Sequence, residues 1–149
     1  MKKCFLGLAF AGVLAIQLHP LRNALALGEE VDLVVSNANQ VKSLSLDDAK
    51  KIFKGDKTVW PEGKHITVLM LPQGRPERVA VLRGIYNMSE TDYSRYFLEA
   101  IFTGRLPAPP KEVGSPVQMK QFLAANPGAI GYLNKADVDD TVRIVLKLM

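Results

Sequence analysis

The chain has 149 residues, 48% of them hydrophobic, with 19 basic against 15 acidic side chains. That is length for one domain with a true core rather than several. The excess of +4 would suit a nucleic-acid partner only if it were carried by the folded part.

It is not. Lys2 and Lys3 precede an apolar run from Phe5 to Leu18, and Ala24-Leu25-Ala26 follows as a small-x-small cleavage site. This order predicts a signal peptide over residues 1–26 and export to a periplasm. Gln17, His19, Pro20 and Arg22 interrupt the run before the roughly 20 residues that a span needs, so no membrane span is expected after cleavage. Cleavage would take Lys2, Lys3 and Arg22 and no acid, leaving 16 basic against 15 acidic groups over residues 27–149, a net of +1. No run of Lys and Arg with interleaved aromatics remains, so a nucleic-acid partner is not expected. Cys4 is the only cysteine and lies in the leader, which excludes a disulfide, a thiolate nucleophile and a cysteine metal site from the rest.

Val31-Asp32-Leu33-Val34-Val35-Ser36 is β-branched and apolar and breaks at Asn37-Ala38-Asn39, which predicts a buried strand ending in a loop. Ser45 with Asp48 forms a capping box, Leu46, Ala49, Ile52 and Phe53 share one face, and Gly55 supplies a left-handed stop. Asp56 to Lys64 is a turn around Trp60, the only tryptophan. Trp60 could line a partner surface or cap the edge of the core. Ile66 to Leu71 predicts a second strand and Pro72-Gln73-Gly74-Arg75 a tight loop. Pro76 fits the first position of a helix to about Tyr86, with Val79, Leu82, Ile85 and Tyr86 inward.

Ser89 and Asp92 cap a further helix carrying Tyr93, Tyr96, Phe97, Ala100 and Ile101 at helical spacing and ending at Gly104. Leu106 to Pro110 holds three prolines and predicts an irregular connection. Ser115 with Gln118, and Pro116 at the first position, opens a last helix through Met119, Phe122 and Leu123 to Asn126-Pro127-Gly128. Ala129 to Leu133 and Thr141 to Leu148 predict two strands. The order is strand, helix, strand, three helices, strand, strand: an α/β fold with helices on a small, mixed, mostly parallel sheet.

Two stretches, L-S-L-D-D-A-K-K-I-F-K-G-D-K-T-V-W-P-E-G and V-G-S-P-V-Q-M-K-Q-F-L-A-A-N-P-G-A-I-G-Y-L, resemble the periplasmic substrate-binding proteins of phosphate ABC transporters. They are more similar still to short secreted members with one such lobe. The resemblance covers about Val31 to Leu133 and implies a single lobe of the type II periplasmic-binding-protein fold over residues 27–149. It also implies phosphate or a related oxyanion as ligand and a transporter or other periplasmic protein as partner. With one lobe, a small anion would be half enclosed, which a homodimer or a partner wall could remedy. In the family an Arg and a Ser-Gly-Thr after the second strand hold phosphate. Here that stretch reads Leu71-Pro72-Gln73-Gly74-Arg75-Pro76-Glu77-Arg78, without the hydroxyls, with one N–H fewer at Pro76 and with an acid at Glu77.

Gln73, Gly74, Arg75 and Arg78 are the anion-site candidates, a flexible backbone and two cations at a helix start. The plain alternative is that the arginines are solvated or pair with Glu77 or another acid. Ser36, Asn37 and Ser115 join them if their strand and helix ends fall on the carboxyl side of the sheet; otherwise they form a turn and a cap. His65 is the only histidine after the leader, too little for a metal site or a catalytic triad. Asp47-Asp48 and Asp139-Asp140 read as a helix N-terminus and a turn. The expectation is a non-enzymatic oxyanion-binding protein accessory to ABC-type uptake, without cofactor, or alternatively a periplasmic interaction module that has lost anion binding.

Overall fold

The computed structural model describes residues 30–148. The leader and its cleavage site lie outside them. No helix among the described residues is long and apolar enough to cross a membrane.

Local signals become elements where the sequence places them. Strand β1 is Val31–Ser36 and helix α1 is Leu46–Lys54, capped by Ser45 Oγ accepting from Asp48 N–H. Gly55 closes α1 at φ 81, and a Cβ there would lie 2.6 Å from a methyl of Leu106. Strand β2 is Thr67–Met70, and helix α2, Pro76–Val81, continues as a single wide π-type turn over Leu82–Tyr86. Helix α3 is Glu90–Phe102, with Ser89 Oγ accepting from Asp92 N–H. Strand β3 is Lys111–Glu112, helix α4 Pro116–Ala125, strand β4 Ala129–Asn134 and strand β5 Val142–Leu148. A short 3-10 turn, Lys135–Asp137, joins the last two strands.

The strands form one sheet in the order β3-β2-β4-β1-β5, flanked by the four helices. β2 pairs in parallel with β3 and β4, whereas β1 is antiparallel to both β4 and β5. The sheet is thus mixed, with four strands running one way, as the α/β reading expected, and β1 runs against them. The core fills with Val31, Leu33, Val35, Ile52, Phe53, Leu69, Met70, Met119, Leu123, Ile130 and Leu133. An edge-to-face aromatic cluster adds Tyr86 to Phe53, Tyr93 and Phe97, with centroids 5.9, 5.0 and 6.1 Å apart.

Two expectations need correction, and one strand was not foreseen. Val79 is exposed and Val81 is buried in its place, because the inward face of α2 is set by Arg78, Val81 and Leu82. Leu46 and Ile101 are exposed at helix ends that overhang the core. The proline segment ends in β3, because Val113 N–H reaches Met70 O at 2.9 Å once Pro110 is passed.

Trp60 is buried, and its Nε1–H donates to Gly128 O at 3.0 Å. Gly128 is required there, since a Cβ would sit 2.5 Å from the His65 carbonyl oxygen. The Asn126-Pro127-Gly128 stop is therefore also the seat of the tryptophan.

Candidate functional site

The loop after β2 carries most of the site predicted from sequence. Met70 ends the strand, Leu71 is buried, and Pro72 O accepts from Arg75 N–H at 3.4 Å. Gly74 takes φ +84, a conformation cheap for glycine, and faces open space. Gln73 and Gly74 are exposed. Pro76 then starts α2, whose first turn brings Glu77 and Arg78 inward.

Arg78 is not available to a ligand. Its Nη1–H donates to Leu71 O at 2.7 Å, and its Nε–H meets the two carboxylate oxygens of Glu90 at 3.1 and 3.0 Å. Nη2 also donates to Glu90, and Glu112 stands 3.5 Å from Nη1. The guanidinium lies 5.0 Å over the Tyr93 ring. Burial disfavours its charge, but the hydrogen bonds and charge of Glu90 outweigh this and hold its pKa above the ordinary value. Arg78 therefore serves as a buried hub tying β2, α3 and β3 together, a bidentate use for which arginine is suited.

Arg75 is half exposed and its Nη2–H donates to Glu77 Oε1 at 3.0 Å. Glu77 is only 4% exposed. Arg75 Nε and Glu77 Oε2 are buried without a partner. The loop thus holds one carboxylate of its own, beside the one cation that a solute could reach. Behind it Tyr132 Oη accepts from Leu71 N–H at 2.9 Å, and burial pushes the Tyr132 phenol well up. Burial likewise pushes Tyr93 up to about 12 and Tyr86 well above its ordinary value.

The remaining candidates fall elsewhere. Ser115 lies on the same end of the sheet, just beyond β3, and its Oγ accepts from Gln118 N–H at 3.1 Å while Gly114 N–H donates to Gln118 Oε1 at 2.8 Å. That reciprocal cap leaves the hydroxyl acceptor occupied. Ser36 and Asn37 lie at the opposite end, because β1 is antiparallel to its neighbours and Val35 stands opposite Ile130 near the start of β4. Ser36 Oγ accepts from Ala38 N–H at 3.1 Å, a turn contact, and Asn37 Nδ2–H donates to Asp140 O at 2.5 Å, tying this turn to the one before β5. Sequence reasoning missed Glu90, Glu112 and Tyr132 as members of this network. Glu90 lies twelve residues from Arg78, beyond a turn, and no local pattern links them.

No protein-family model matches the sequence, and no curated protein sequence matches it. Solved structures do. An ABC-type phosphate transport receptor from Vibrio cholerae is 20% identical with a TM-score of 0.60, covering 78% of this chain and 45% of that one. A protein from Clostridium perfringens, assigned as a phosphate ABC transporter substrate-binding protein and solved with bound phosphate, is 26% identical with a TM-score of 0.61, covering 78% and 44%. PstS from Borrelia burgdorferi is 12% identical at a TM-score of 0.59, covering 78% and 46%. The fold is therefore that of one lobe of phosphate ABC transporter substrate-binding proteins, the class anticipated from the two sequence stretches. The chain spans less than half the length of each of these three structures.

Proposed function

We propose that this chain is an exported, non-enzymatic lobe of the solute-binding type that works by contact with another protein, its anion loop being filled by its own carboxylate. One observation carries this reading: Glu77, buried in the first turn of α2, holds Arg75 while Arg78 is consumed by Glu90 and Leu71 O. A second negative charge about 4 Å from Glu77 would meet roughly 4 kcal/mol of repulsion at an effective dielectric of 20. That is about a thousandfold in affinity, enough to turn a micromolar site into a millimolar one. The shape that receives a solute elsewhere in this fold is then left as scaffold for a protein contact.

Calorimetric titration with phosphate and with sulfate tests the reading. The expected result is no binding heat at millimolar anion. Micromolar binding that disappears in Arg75→Ala would overturn it and restore the oxyanion reading. The observation favouring that second reading is the buried, unpartnered Nε of Arg75.

A further inference from the structure

At the other end of β2 from this loop lies a groove of about 190 Å³. Its floor is Ile52, Phe53, Phe97 and Leu106, one wall is the start of β2 at Thr67 and Val68, and the other is the segment Pro107–Pro110. The prolines create it. β3 pairs with β2 from Leu69 opposite Lys111, so the same register would set Pro110 and Pro109 opposite Val68 and Thr67. A proline has no N–H to give the ladder, and pairing stops. The first half of β2 is left bonded to β4 alone. Thr67 N–H donates toward β4, to Gly128 O at 3.3 Å, so alternation along the strand turns the Val68 N–H to the open side.

Prolines on an edge usually blunt it against pairing. Here they stand away from the edge and leave an apolar trough. No acidic side chain lines it, and its ionisable residues are Lys57, His65 and Lys111. Lys57 is held loosely, 3.5 Å from Asp48, and Lys111 is exposed, with its ammonium 5.5 Å from the Phe122 ring centre.

We propose that this groove binds a short extended segment of another protein, apolar at its centre and acidic at its flanks, laid along the open half of β2. The inference rests on the protein-contact reading above and names its surface. An extended backbone offers a carbonyl to the outward-turned Val68 N–H, as in strand addition at other sheet edges. An apolar side chain fills the trough over Phe97 and Leu106, and carboxylates face the lysines. The basic rim favours this occupant over a neutral or basic one.

The probe is the blocked peptide acetyl-Glu-Val-Val-Glu-amide, titrated into the protein with amide NMR readout, with acetyl-Lys-Val-Val-Lys-amide as comparison. The expected result is millimolar or tighter binding, shifts centred on Val68, Phe97 and Leu106, and slowed hydrogen exchange at the Val68 amide. Lys57→Glu, a change at a half-buried side chain on the rim rather than the floor, should weaken binding about fivefold. Absence of shifts at Val68 overturns the proposal, as does equal binding of the lysine peptide. Shifts confined to the exposed α3 residues Leu98 and Phe102 also overturn it. The phosphate titration is independent: a protein that binds neither anion nor peptide loses only the groove, and one that binds phosphate tightly loses the protein-contact reading.

Discussion

At the end of the sheet where β2 and β3 finish, the structure is held by ions: Arg78 between Glu90, Glu112 and a main-chain carbonyl, and Arg75 against Glu77. At the opposite end it is held mostly by neutral donors on main-chain carbonyls. Trp60 Nε1–H reaches Gly128 O at 3.0 Å, Asn39 Nδ2–H reaches Pro127 O at 2.7 Å, and Asn37 Nδ2–H reaches Asp140 O. Charge enters there through Arg143, donating to Asn39 O at 2.9 Å and Asn37 O at 3.1 Å, and through the Lys120–Asp139 pair in the turn before β5. Both ends knit distant parts of the chain. The neutral end does so without desolvating a carboxylate, whereas buried ions repay their desolvation only when every partner is present. The charged end is therefore the one that a single change can unbalance.

The largest effect should come from breaking that balance. Arg78→Ala leaves Glu90 facing a buried carbonyl and should cost about 3 kcal/mol in urea unfolding. Pairing Arg78→Met with Glu90→Leu should recover most of it. A loss under about 1 kcal/mol for Arg78→Ala would rank this arginine with ordinary surface pairs and erase the contrast between the ends.

Gly128→Ala tests the neutral end. The added methyl meets the His65 carbonyl, a main-chain atom that cannot swing away, and displaces the seat of Trp60. Expect about 2 kcal/mol of destabilisation and a shifted tryptophan emission. Unchanged emission and stability would show that the neutral end yields more readily than its contacts imply.

The third difference emerges only at alkaline pH. Tyr93, Tyr132 and Tyr86 surround the charged end and the aromatic cluster, and burial raises the pKa of each in the folded state. Their contribution is complete below the ordinary tyrosine value near pH 10 and is lost as pH rises toward the folded value, about 12 for Tyr93. Unfolding free energy should stay level from pH 8 to about 9.5 and then fall, with Tyr93→Phe flattening the decline. A profile unaffected by Tyr93→Phe would remove this residue from the account.

The scaffold was legible because its signals are local. Ser45, Ser89 and Ser115 each announce a helix that starts at the next residue, and each hydroxyl accepts the N–H three residues ahead. Pro76 and Gly55 fix a start and a stop by their own backbone limits. What was not legible depends on partners far along the chain. The direction of β1 follows from its antiparallel pairing with β4 and β5, and no periodicity within Val31–Ser36 encodes direction. That missing fact put Ser36 and Asn37 at the wrong end. The role of Arg78 was hidden for the same reason: its acid is Glu90 on α3, whereas the sequence offers Glu77 next door. Strand β3 escaped notice because two residues after three prolines carry no pattern of their own.

The place of β1 between β4 and β5 also governs the order in which the chain can fold. Val31 is joined to Asn134 on one side and Leu148 on the other, so the first strand made is bounded only by the last two. Emerging from a ribosome in an extended state, the chain must hold Val31–Ser36 unpaired until nearly all of it has arrived. Such contacts close loops of more than a hundred residues and set a slow folding rate. In that interval an apolar six-residue segment has both edges open to other chains. A protein so arranged should fold late and cooperatively, and holdase chaperones that shield its first strand should raise its yield more than anything that stabilises its helices.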